Sequence, residues 1–429
     1  MKNNFLDILK IIPGSANIVL RILSIVGKFL FTMYLIRYLT THDLGVYSIF
    51  TTTVTIGSYI LGIEFHTFSN REIMASIGNK KLISLYVQDQ FLLYMFTYLF
   101  FFPTIIVVVF YFGILSWNLL WYFLVILATF HIAQELQRLL ISISHPVIAI
   151  IIGTLGSGIW VYPAMILGLL FPWARTIDFS LFIWSGFGII SCILGLKILH
   201  RRNIVLFSPR KPNWRWIMRG FSSSIIFFCY TILYLATMRI DYYMLLFVES
   251  EAEVGILSFF SNIAMILVDF VTVGVSINFL PKLVETYHQN RLDDYRKVSR
   301  EFLHHTLKST LILLPSFIFG IHVITYFTEN KELSSNIIVY YIFLFTSFVI
   351  CVSMSFHYQI YAQRRDTSML LIIFLGFIIK VVFCLVLIPK LGILGASLAT
   401  LISFTFVSFI EFSVVIFNSN YQSRRIVID

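Results

Sequence analysis

The sequence predicts an all-α polytopic membrane protein: twelve transmembrane helices in two six-helix bundles related by a pseudo-twofold axis along the membrane normal. Three observations carry this expectation. Hydrophobic residues make up 59% of the 429 and charged residues 12%, with mean hydropathy +0.89, whereas a soluble domain carries roughly twice that share of charge. Apolar stretches of about 20 residues, the length that crosses a bilayer core at 1.5 Å per residue, recur from one end of the chain to the other. A short motif also returns half a chain later.

The apolar runs and the polar breaks between them place the first six helices near 15–38, 43–67, 86–112, 117–141, 147–171 and 179–199. The second six fall near 218–247, 254–280, 304–327, 336–361, 367–388 and 393–417. No soluble domain of useful size fits between them. Cys192, Cys229, Cys351 and Cys384 all lie inside apolar segments without CxxC spacing, which suggests neither a disulfide nor a metal. The first hydrophobic segment holds Arg21 and Lys28, unlike the uninterrupted core of a signal peptide, so the N-terminus is expected to be retained.

Twelve spans put both termini and every even-numbered connection on one side. That side collects 23 of the 31 Lys and Arg, including seven around "KILHRRNIVLFSPRKPNWRWIMR" and six from Lys282 to Lys308. The opposite side holds four: Arg37, Arg175, Lys331 and Lys390. The positive-inside rule makes the richer side cytoplasmic, with both termini there. The net charge of +10 therefore reports topology rather than a nucleic-acid partner.

The opposite face has only short connections such as "FGILSW" and "FVESEAEV", which argues against polymerases and glycosyltransferases built on a large extramembrane domain. There is no GxxxxGK[ST] loop, HExxH, nucleophile elbow or paired Cys/His cluster, so no enzymatic activity, metal or cofactor is expected. Energy must then come from an ion gradient, of H+ or Na+, or from consumption of the product outside.

The longest basic connection, residues 200–217, divides the chain near its middle into expected bundles at 1–199 and 218–429. "THDLGVYSIF" (41–50) has a counterpart in "EAEVGILSFF" (251–260): Asp43, Gly45, Ser48 and Phe50 match Glu253, Gly255, Ser258 and Phe260 at an offset of 210. Each unit has an even number of spans, so both enter the membrane from the same side, with the transport path between them, as in alternating-access carriers.

Four cations lie within the spans: Arg21, Lys28, Arg239 and Lys380. A charge at mid-bilayer costs about 2.5–3.5 kcal/mol on insertion scales, so it calls for a partner, a water-filled path or snorkelling. Arg21 sits about 9 Å inside the first helix, within reach of the cytoplasmic headgroups. Lys28 is about 10.5 Å deeper and only some 20° around the axis, which points it to a hydrated interior. Lys380, mid-way along the eleventh helix, reads the same way; Arg239, in the outer third of the seventh, either lines the path or snorkels outward. Asp241 and Asp269 are the candidate ion-coupling acids, with pairing to Arg239 or Lys28, a neutral buried acid or a static ion pair as the plainer readings. Glu64 and Glu411 lie nearer the cytoplasmic ends and are expected at the interface, and His131 as a packing residue. Tyr242 and Tyr243 could stack on sugar rings.

Three stretches carry a family resemblance: "MRIDYYMLLFVESEAEVGILSFFSNIAMI" (238–266), "LIPKLGILGASLATLIS" (387–403) and "IRYLTTHDLGVYS" (36–48). An Asp in the seventh helix, an acidic-hydrophobic-Gly turn and a Pro-x-x-Gly-x-x-Gly-Ala entry to the last helix resemble the polysaccharide and O-antigen flippases of the Wzx type. These belong to the superfamily that includes the multidrug and toxic-compound extrusion carriers, and the twelve-helix plan covers essentially the whole chain. Lys380 departs from the Asn or other polar residue usual at that place. The resemblance implies the multidrug-extrusion fold and a flippase for polyprenyl-pyrophosphate-linked oligosaccharide units, lipid-linked substrates of O-antigen or other surface polysaccharide. It also implies membrane lipids and a polysaccharide polymerase as partners. Charge sign agrees, since four cations against a few acids favour a diphosphate. The competing readings are a cation or drug antiporter of the same superfamily, and a membrane polymerase or acyltransferase.

Overall fold

The computed structural model describes residues 14–205 and 210–426, with the side chains of residues 14–18, 21 and 418–426 outside the description. The described chain is helical, and its elements follow the apolar runs. They are α1 (Gly14–Tyr38), α2 (Thr41–Gly62), α3 (His66–Ala75), α4 (Lys80–Ile106), α5 (Leu120–Ser142), α6 (Pro146–Ser157), α7 (Val161–Leu170) and α8 (Ile177–Arg201). Then come α9 (Trp214–Val248), α10 (Glu251–Val271), α11 (Ile277–His288), α12 (Leu292–Thr328), α13 (Lys331–Ser335), α14 (Ile337–Ala362), α15 (Asp366–Leu391) and α16 (Ile393–Ile426). Among the described residues ten helices are long and apolar enough to cross a membrane, and α6 and α7, bent by 42° at their junction, meet the same criterion taken together. Helix α1 covers the place of the expected first span.

Helix ends follow local chemistry. Asn79, Thr176 and Ser250 cap α4, α8 and α10 by accepting from Leu82, Phe179 and Glu253 amides. The expected span 43–67 stops instead at Gly62, because Ile63 and Glu64 adopt φ of +47° and +53° and turn the chain into α3. The hydroxyl of Thr97 donates to the freed Leu61 carbonyl at 2.7 Å, so the break leaves that group satisfied. Likewise α10 passes through a π-turn at Thr272–Ser276 before α11, which contains Pro281.

Two compact units are present: residues 1–39 with 49–228, and residues 40–48 with 229–429. In the first, α5 packs on α6 and α8, and α1 on α6 and α7. An aromatic core holds them: Trp160 stacks on Trp184 at 5.0 Å, Phe31 meets Trp160 edge-on, and Phe50 meets Phe123. Trp117, Trp121 and Trp173, all exposed, mark one membrane face as an interfacial belt.

In the second unit α16 packs on α14 and α15, and α10 on α12, α14 and α16. Its segment 40–48 explains the repeated motif. A Cβ on Gly45 would lie 1.7 Å from the Glu251 carbonyl oxygen, and one on Gly255 would lie 2.0 Å from that of Thr41. Thr41 and Glu251 are themselves 210 apart, so the contact is locally two-fold. Ser48 completes it by donating to Ser258 at 2.7 Å. Small residues here let two backbones touch, which is how helices associate in hydrocarbon.

Substituting Gly45→Ala or Gly255→Ala is therefore expected to destabilise the protein by about 2–3 kcal/mol through backbone displacement. Gly186→Ala, where nothing lies within 4 Å of the added carbon, serves as the neutral control. Thermal unfolding of the detergent-solubilised protein, followed by tryptophan fluorescence, checks the difference.

Candidate functional site

The seventh span, α9, brings the charged positions of the second unit together. Arg239 and Asp241 are two residues apart, about 200° around a helix, so they face different neighbours. Pairing of these two, one of the alternatives the sequence left open, does not form.

Asp241 points inward, 1% exposed, against Lys380 of α15, 0% exposed. The lysine Nζ is 3.1 Å from Asp241 Oδ2 and donates at 2.6 Å to Thr400 Oγ1 of α16. Thr400 lies 3.0 Å from the same carboxylate oxygen and closes a three-helix triangle. Lys380, expected on the wall of a hydrated path, is thus enclosed and neutralised, and the candidate coupling acid Asp241 is its counter-ion. The static ion pair, the plainer reading, describes both. Each charge is tolerable at this depth because the other is present.

Arg239, half-buried on the other face, has a different environment. Its Nη1 bonds the Tyr242 hydroxyl and lies 3.5 Å from Ser261 Oγ. Nη2 donates to Asn262 Oδ1 at 3.3 Å, and the guanidinium lies 4.9 Å from the Tyr242 ring centre. These partners are neutral, and no carboxylate among the described residues lies within ion-pairing distance of Arg239. The charge is oriented without being cancelled. Tyr242 belongs to this support: it is 1% exposed and cannot present its ring to a sugar, while Tyr243 beside it is half-buried.

The other expected residues are dispersed. Lys28 is exposed on α1, its carbonyl accepting from Thr32. Asp269 is exposed near the end of α10. The side chain of Arg21 lies outside the described residues.

Two buried acids depart from what their distance along the span suggested. Glu64 and Glu411, expected at the interface, are 8% and 5% exposed. Glu64 Oε2 is 3.5 Å from His66 Nδ1. Glu411 accepts from Ser353 and from His357 Nδ1, the latter at 2.8 Å. In the first unit Glu135 accepts from Arg138 at 2.5 Å, Tyr94 at 2.6 Å and Gln90 at 3.1 Å. This knot ties α4 to α5, and beside it His131 bonds Tyr98 at 2.9 Å as a packing residue. The polar run "HIAQELQR" ending a hydrophobic span was its only sequence signal.

Breaking the sealed pair from one side, by Asp241→Asn or Lys380→Met, is expected to cost about 3–5 kcal/mol of stability, with the double variant Asp241→Leu/Lys380→Met recovering much of it. Thermal unfolding of the wild type, Asp241→Leu, Lys380→Met and the double variant closes the cycle and gives the coupling energy.

No family model matches the chain, and no curated protein sequence does. Solved structures do. An inward-facing multidrug resistance transporter of the MATE family, in the MOP superfamily, aligns over 93% of this chain and 95% of its own, at 13% identity and TM-score 0.75. The lipid II flippase MurJ in an inward closed conformation aligns over 94% and 87%, at 12% identity and TM-score 0.73. An outward-facing MATE transporter gives 95% and 96%, at 13% identity and TM-score 0.61. At these identities the likeness is one of fold: this chain has the all-helical membrane fold of the MATE multidrug transporters and of a lipid II flippase.

Proposed function

We propose that this protein is a flippase that carries a polyprenyl-pyrophosphate-linked oligosaccharide unit from the cytoplasmic to the periplasmic leaflet of a bacterial inner membrane, by alternating access. The carrying observation is Arg239: a guanidinium within a membrane span, half-exposed, held by Tyr242, Ser261 and Asn262, all neutral. A cation kept in hydrocarbon at a cost of several kcal/mol, and held without a counter-ion, suits an anionic cargo. A diphosphate offers several acceptor oxygens to such a planar donor. Lys28, exposed on α1, adds a second cation. Lys380 drops out, because Asp241 already neutralises it.

The likeness to a lipid II flippase supports a lipid-linked cargo. The likeness to multidrug transporters favours a second reading, export of drugs or cations, but an organic cation gains nothing from Arg239. With the basic connections on the cytoplasmic side, the loaded lipid is taken from where it is assembled, and a polymerase on the far side is the fitting consumer.

In cells lacking this protein, the lipid-linked unit is expected to remain in the cytoplasmic leaflet, protected from an impermeant oxidant added to spheroplasts. Arg239→Gln and Lys28→Gln are each expected to cut translocation about ten-fold, equivalent to about 1.4 kcal/mol, with normal amounts of folded protein. Undiminished translocation in the double variant would sink the proposal.

A further inference from the structure

The second unit contains a buried acid–base pair that neither the ion pair at Lys380 nor the cation at Arg239 uses. Glu411 of α16 is bonded by the Ser353 hydroxyl and by His357 Nδ1, both from α14. The other ring nitrogen, Nε2, lies 3.4 Å from the hydroxyl of Tyr230 on α9. With Nδ1 against a carboxylate, that nitrogen carries the hydrogen, which leaves the Nε2 lone pair to take up a proton. The Tyr230 hydroxyl can serve both states, donating to the neutral ring and accepting from the charged one.

Exposure is asymmetric in the same sense. The His357 side chain is 22% exposed and that of Glu411 only 6%, so the imidazole is the member that protons can reach, with the carboxylate behind it.

Tyrosines surround the pair. Tyr230 and Tyr234 face the pair from α9 and Tyr358 flanks it on α14. Helix α15 contributes Met369 and Ile372 to the adjoining apolar cluster. Arg239 and Asp269 act electrostatically on Tyr234 rather than on Glu411 directly. Among the described residues, His357 alone can place a positive charge within ion-pairing distance of Glu411. Tyr230 and Tyr234 stack at 6.2 Å along α9, and Arg239 lies about 13.5 Å beyond Tyr230 on the same helix.

We propose that His357 and Glu411 form a proton-binding centre, its net charge passing from −1 to 0 as Nε2 accepts a proton from water, and that this change drives the occupancy of Arg239 by the anionic cargo. The coupling half of the proposal rests on the flippase reading; the proton-binding half does not. The sealed Asp241–Lys380 pair, in which neither side chain meets solvent, has no comparable access for protons.

The test is a pH titration of the purified full chain in lipid nanodiscs without any cargo, read by infrared difference spectroscopy of the imidazole and carboxylate bands. Wild-type protein is expected to show uptake of one proton by this pair, seen as a gain of the imidazolium band. His357→Gln is expected to abolish it. Glu411→Gln, which removes the charge that favours imidazolium, is expected to move it to lower pH. Tyr230→Phe, the mildest change, is expected to keep the uptake with an altered imidazole band. A wild-type titration that persists in His357→Gln, or an unshifted one in Glu411→Gln, overturns the proton-binding centre and leaves the flippase reading standing. Proton uptake as expected, combined with translocation that ignores an imposed pH gradient, overturns the coupling.

Discussion

Hydrocarbon offers no hydrogen bonds, and everything polar in this chain is arranged around that fact. A backbone group or charge left alone at mid-membrane costs several kcal/mol, and the main departures from apolar helix described here have partners supplied from elsewhere in the fold. The hydroxyl of Thr97 reaches the Leu61 carbonyl where α2 ends. Lys380, Asp241 and Thr400 converge from three helices into one closed triangle. Glu135 is tied by an arginine, a tyrosine and a glutamine. These contacts fix the mutual register of their helices more sharply than apolar packing does, since a leucine tolerates sliding and a buried carboxylate does not.

Against that background the charged positions sort by the company they keep. Lys380 has a full counter-ion and no solvent; Glu411 has a titratable one with partial solvent; Arg239 has only neutral neighbours. The three differ in what they can do when something outside the protein changes. On the readings proposed above, the first holds three helices together, the second takes up a proton and the third takes an anion. One span, α9, carries residues of all three groups, with Tyr230 and Asp241 on one face and Arg239 on the opposite one.

Much of the fold was legible in the sequence because length and hydropathy decide which segments cross a membrane. Each expected span corresponds to a helix or to the bent α6–α7 pair. The site was less legible, and the reasons are geometric. Depth along a helix can be counted from the sequence, but direction around it depends on which neighbours pack there. Glu411 looked interfacial by its distance from the span's end, yet its face is turned to α14. Lys380 and Asp241 are 139 residues apart and nothing local in either segment announces the other. Arg239 and Asp241, adjacent on paper, are separated by the helix itself. The break after Gly62 escaped notice because Ile63 and Glu64 are poor candidates for a left-handed backbone.

The glycine contact between α2 and α10 bears on how such a chain can diverge. Gly45 closes on the backbone beside Glu251, and Gly255 closes on the backbone beside Thr41, so each copy of the motif is the other's receptor. A side chain acquired by either one pushes apart the same two helices. Drift at these two positions is therefore not independent: the halves of the chain are free to specialise almost everywhere else, but here they share a single mutational fate.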